Sequence, residues 1–138
     1  MLNCLSVGDT FTMEKIITSN DVDLFAEVSG DKNPLHLDDE YAKKTIFGGR
    51  IAHGMISASI ISGAIGMYLP GPGTIYLSQS LNFHKAVKIG DTIIVEIKIS
   101  EITEKSKFNI AKIDTTCKNQ KNEIIVDGTA TVIPPQPA

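Results

Sequence analysis

Residues 54–69, GMISASIISGAIGMYL, contain no charged side chain, in a chain that is 21% charged. A stretch like that has to be shielded from water. It falls short of the roughly 20 residues a membrane helix needs. Ser57, Ser59, Ser62, Gly63 and Gly66 also dilute its apolar character. It reads as a buried helix inside a soluble domain, because small and branched residues occupy every side of it. Pro70-Gly71-Pro72-Gly73 breaks it with a loop.

The C-terminal half of the chain can wrap this helix. Ile93, Val95, Ile97 and Ile99 share one side of a strand while Glu96, Lys98 and Ser100 share the other. Gly90-Asp91 marks the turn before it. Ile75, Leu77, Leu81 and Phe83 have one parity. Phe108 to Cys117 is rich in β-formers, and its imperfect alternation suggests a bulge. Ile124, Val126, Ala130 and Val132 give a last strand with Asp127-Gly128 inside it. Glu104-Lys105-Ser106 and residues 119–122 read as hairpin turns, and Val7 to Ile16 as a further short strand. One helix and four or five mostly antiparallel strands make an α+β domain, a sheet curled around the helix. The 138 residues suit one domain, 1–138, with residues 134–138 as a frayed tail. Sheet edges need cover, so a homo-oligomer is expected.

Composition excludes some functions. The net charge is −3, basic residues are scattered and tryptophan is absent, which disfavours a nucleic-acid partner. No long apolar run suggests a membrane span, and the first residues lack a signal-peptide pattern. Cys4 and Cys117 stand far apart without motif spacing, as in a cytoplasmic chain with two free thiols.

The chemistry gathers upstream of the uncharged helix. Thr18 reads as an N-cap with Asp21 three residues on, Val22, Phe25 and Ala26 form an apolar face, and Gly30 is the stop. Asp31 to Leu37 (DKNPLHL) then forms a loop stiffened by proline, before a second short helix over residues 38–45 that Phe47-Gly48-Gly49 ends. Asp31 and His36 together can hold a water molecule and move its protons. The Gly54 backbone N–H, at the start of a helix, can polarise a carbonyl. Asn33 holds the loop by side-chain hydrogen bonds. His53 either contacts a substrate or makes a structural bond at the helix start. Ser62 either faces the site or packs in the core, and Ile61 and Ile65 either line a pocket or fill the core. His84 reads as an ordinary strand residue. No histidine has metal spacing with another ligand, and a calcium loop fails because His36 stands where glycine is required, so no metal is expected.

Three stretches carry a family likeness. Phe25 to His36 (FAEVSGDKNPLH) resembles the hydratase-2 motif of MaoC-like, (R)-specific enoyl-CoA hydratases; Phe47 to Met55 (FGGRIAHGM) resembles the family's second hallmark, and Gly90-Asp91, preceded by Phe83 and Val87, its strand signature. The resemblance implies a hot-dog fold, a homodimer and a coenzyme A thioester substrate. It implies hydration of trans-2-enoyl-CoA to (R)-3-hydroxyacyl-CoA, with Asp31, His36 and Gly54 catalytic. Asn33, His53, Ser62, Ile65 and Arg50 would surround the substrate, Arg50 either meeting coenzyme A phosphates or lying at the surface. No cofactor is implied beyond the coenzyme A of the substrate. A thioesterase on the same fold and a non-catalytic acyl-thioester binding module are the rival readings. Acyl length, carrier and pathway, from polyester monomer supply to fatty-acid oxidation, stay open.

Overall fold

A computed structural model describes residues 5–136, so Cys4 lies outside the described residues. Its elements are β1 (Thr10–Ile16), α1 (Ser19–Ser29), α2 (Pro34–Leu37), α3 (Asp39–Lys43), α4 (Gly54–Met67), β2 (Ile75–Gln79), β3 (Asn82–Phe83), β4 (Thr92–Glu104), β5 (Asn109–Lys118) and β6 (Ile124–Ile133). The strands form one antiparallel sheet in the order β1-β4-β5-β6-β2, with β3 also paired to β6. Helix α4 lies against this curved sheet, which is the hot-dog arrangement.

The alternation of β4 is the one its sequence shows. Ile93, Val95, Ile97 and Ile99 are buried, and they meet Ile56, Ile60, Ile61, Ala64 and Ile65 of α4 in one core. Fully burying one such side chain is worth about 1.5–3 kcal/mol. Strand β5 is more regular than its sequence suggests, since Ala111, Ile113, Thr115 and Cys117 all point inward. The irregularities fall on its neighbours: the register shifts at Ser100 in β4 and at Ile125 in β6. The second shift explains why Ile125 is buried while Ile124 is exposed.

Six strands are present among the described residues, where four or five were expected. The stretch 75–83 divides because Ser80 interrupts the ladder. Its backbone N–H donates to the Thr129 carbonyl, and its hydroxyl oxygen accepts the Thr129 N–H, both at 2.9 Å. A further shift at Leu77 breaks the parity of Ile75 and Leu77 with the later residues. Ile75, Leu77 and Phe83 are all exposed in the single chain.

The expected frayed tail is partly packed. Pro134 is buried, and Pro135 lies against Gly73. Helix α4 is not enclosed on every side either. Its sheet-facing residues are buried, but Gly54, Met55, Ser59, Ser62, Gly63 and Met67 are not. Among the described residues one chain has a single sheet, which covers one face of the helix.

Two substitutions test how local detail holds the fold. Thr18 caps α1, its hydroxyl accepting the Asp21 N–H at 3.1 Å while the Asp21 carboxylate accepts the Thr18 N–H at 2.9 Å. Thr18→Ala is expected to cost about 1 kcal/mol in urea unfolding. Gly128 sits where a Cβ would stand 1.8 Å from the Ser80 carbonyl oxygen. Backbone has to move to admit it, so Gly128→Ala is expected to cost about 3 kcal/mol by the same measurement.

Candidate active site

The loop after α1 is built from the cap outward. Gly30 takes a left-handed conformation (φ 77°) that most side chains disfavour, and closes α1 by donating to the Ala26 carbonyl. The Asp31 N–H then donates to Ser29 Oγ at 3.1 Å, and the Asp31 carboxylate accepts the Asn33 N–H at 3.2 Å. Asn33 in turn accepts the Leu35 N–H at 3.1 Å. That makes Asn33 the N-cap of α2, so the expected loop through Leu37 is in fact one helical turn from Pro34. The reason lies in the dipeptide: proline at the first helical position has no N–H to lose there, and asparagine is a strong cap. Asn33 therefore holds the loop, as its sequence position suggests.

This turn carries His36 inward, where it is 8% exposed. Its Nδ1 lies 2.8 Å from the Ile51 carbonyl oxygen. A carbonyl only accepts, so Nδ1 carries a proton, and in the neutral ring the lone pair is left to Nε2. His53 is 3% exposed and stacks on His36, with ring centroids 4.0 Å apart. Its Nε2–H donates to the Asp31 backbone carbonyl at 2.8 Å, and its buried Nδ1 has no partner among the described residues. His53 thus makes a structural bond, but to the Asp31 loop rather than at the start of α4, where it makes no side-chain cap.

Asp31, His36 and His53 each bring one candidate ligand atom within 4.8 Å of the others. Their sequence spacing hides this proximity. One ring nitrogen of each histidine holds a proton toward a carbonyl, which leaves the other ring nitrogen of each, with the Asp31 carboxylate, as the candidate ligand atoms. An exposed carboxylate beside a buried imidazole also suits proton transfer and water binding.

His36 and Gly54 line one cleft of about 420 Å³, together with Phe47, Phe83, His84 and Val87. As the first residue of α4, Gly54 has an N–H with no acceptor inside the helix. The Phe83 ring packs against Gly54, with ring carbons 3.0 and 3.1 Å from where a Cβ would stand. Glycine is what lets the ring and any bound group approach that amide. Neither Phe83 nor His84 is a catalytic-type signal in the sequence, and reading the sequence alone places neither in the cleft. They reach it through β3, which pairs Asn82 with Asp127 and Phe83 with Val126. His84 also bonds the Asp127 carboxylate at 3.0 Å.

Other expected substrate contacts fall elsewhere. Ser62 lines a separate apolar cavity of about 370 Å³ with Phe25, Met55, Ala58, Tyr76 and Leu81. Ile61 and Ile65 are fully buried in the core, since both lie on the sheet-facing side of α4, so Ile65 lines neither cavity. Arg50 is largely buried; its Nε–H donates to the His36 carbonyl, and an Nη–H donates to Asp23 Oδ1 at 2.9 Å.

The sequence and the hot-dog fold match a known group of proteins. The chain belongs to the MaoC-like domain family, whose description "MaoC like domain" matches residues 6–123. It is 43% identical over 132 residues to a 3-hydroxybutyryl-CoA dehydratase of Methylorubrum extorquens, covering 96% of this chain and 82% of that protein. It is 41% identical over 128 residues to an (R)-specific enoyl-CoA hydratase of Rhodospirillum rubrum, covering 93% and 87%. The solved structure of R-hydratase PhaJ1 from Pseudomonas aeruginosa superposes with a TM-score of 0.90 at 46% identity, covering 96% of this chain and 84% of that one.

Cys117 is not a nucleophile for this site. It is fully buried, its thiol directed at the Ser57 carbonyl, and burial pushes its pKa up to about 12. At about pH 8 the folded protein is therefore expected to resist iodoacetamide at Cys117, and to react there only after unfolding, as peptide mapping would show.

Proposed function

We propose that this chain is an (R)-specific enoyl-CoA hydratase, adding water across trans-2-enoyl-CoA to give (R)-3-hydroxyacyl-CoA and catalysing the reverse dehydration. The observation that carries the reading is the meeting of Asp31 and His36, with His36 and Gly54 sharing one cleft. The named relatives add support.

In this scheme the thioester carbonyl lies against the Gly54 N–H. Charge that develops on the enolate oxygen meets an unpaired donor at the positive end of α4, worth about 3 kcal/mol of barrier in a dry site. Asp31 and the Nε2 of His36 hold water against C3. As the C3–O bond forms, the pair takes one proton from the water and returns one to C2, ending in its starting state. Both atoms add from the face on which the pair sits, which is a syn addition. The two groups act as a unit, so neither is singled out as acid or base.

The scheme uses no metal or redox cofactor. The working unit proposed is a homodimer in the cytoplasm. Support for the dimer comes from the uncharged open face of α4 and the exposed Ile75 and Leu77 on edge strand β2.

Asp31→Asn and His36→Gln are each expected to lower crotonyl-CoA hydration by about 10²–10⁴-fold while the thermal midpoint barely moves. The assay tracks loss of the conjugated thioester, with chiral analysis of the product. Near-normal turnover in either variant removes the pair from the scheme, and release of free thiol in place of hydration favours the thioesterase. Chelator treatment is expected to leave the rate unchanged.

A further inference from the structure

We infer that Arg50 and Asp23 are positioning residues for the Asp31–His36 pair; this inference rests on the hydratase reading. Residues 50–53 clamp the loop that bears the pair. Arg50 Nε–H donates to the His36 carbonyl, and His53 Nε2–H donates to the Asp31 carbonyl at 2.8 Å. Ile51 joins in with both of its backbone groups: its carbonyl accepts the His36 Nδ1–H at 2.8 Å, and its N–H donates to the Leu35 carbonyl at 3.4 Å. The same segment runs directly into Gly54. Its hydrogen bonds therefore set where the dyad stands relative to the amide at the start of α4.

Arg50 ties the clamp to α1 by a side-chain ion pair. Its side chain is 13% exposed, and its guanidinium fork spans from the His36 carbonyl to Asp23 on α1, whose side chain is 60% exposed. An ion pair with so exposed a partner contributes little to folding. It does fix which way the guanidinium faces, and through it the His36 backbone. A planar fork with donors in fixed directions suits that task better than a flexible ammonium. Arg50 also borders a polar crevice with Ser19, Asp39, Gly48, Gly49 and Lys88, so the competing role is contact with coenzyme A phosphates.

The test compares Asp23→Asn, Arg50→Gln, Arg50→Lys and the Asp23→Asn/Arg50→Gln double variant on crotonyl-CoA and on crotonyl-N-acetylcysteamine thioester, which has no nucleotide. Positioning predicts that kcat falls about threefold for Asp23→Asn and about tenfold for Arg50→Gln, by the same factors on both substrates, with KM within about twofold. Arg50→Lys should regain part of the loss. The double variant should be no worse than Arg50→Gln, because both residues act along one path. A rise in KM confined to crotonyl-CoA, or an unchanged kcat in Asp23→Asn and Arg50→Gln, overturns the inference. A second readout is independent of turnover: the ¹⁵N spectrum of the His36 ring should show Nδ1 protonated in the wild type and mixed tautomers in both single variants. Unaltered ring signals in both overturn the inference too. A wild-type protein that hydrates neither thioester defeats the hydratase reading instead, and the ring spectrum then still decides whether the clamp orients His36.

Discussion

The hydrogen bond from His36 Nδ1 to the Ile51 carbonyl ties this structure's chemistry to its fold. It settles the tautomer, and with it the nitrogen left to act. With the Arg50, Ile51 N–H and His53 bonds it also joins two stretches of chain, one within a turn of helix and the other about to start α4. The stacked His53 ring lies against the same imidazole. Once His36 is held, Asp31 is held with it, because the Asp31 carbonyl is bound by that second ring. In the proposed scheme, a buried imidazole that keeps one nitrogen satisfied and the other free transfers a proton without reorganisation, which is where much catalytic advantage arises.

Helix α4 serves the site from the other side. Its isoleucines pack on Ile93, Val95, Ile97 and Ile99, and that packing locates the N-terminal amide of Gly54. The sheet thus contributes to the cleft through the rigidity of a helix that bears no charge. The absence of charge also removes acidic groups that would compete for the positive end of the helix dipole.

Much of this is legible in the sequence. Caps are short-range chemistry, so Thr18 with Asp21 and Gly30 read correctly, and the alternation of β4 shows its buried face plainly. The features that escape depend on partners distant along the chain. The break between β2 and β3 comes from Ser80 meeting Thr129, which no local pattern announces. Ile125 turns inward because of a register shift against β5. His84 and Phe83 reach the cleft only through pairing with β6. Arg50 reads as meeting phosphates or lying at the surface, yet its guanidinium faces a carbonyl fourteen positions back and a carboxylate on α1. Proline in the 31–37 stretch reads as a helix breaker, although behind an asparagine cap it starts a turn.

The brevity of β3 has a consequence for how such a site can diversify. Two residues hold it to β6, and one of them, Phe83, packs against Gly54. The cleft beside Gly54 is therefore bordered by a side chain on the shortest strand of the sheet, while Asp31 and His36, the groups proposed to handle protons, hang from a separate, tightly laced turn. Selection can retune what enters by altering that one ring and leave the acid–base apparatus untouched. The two properties are free to evolve on independent schedules.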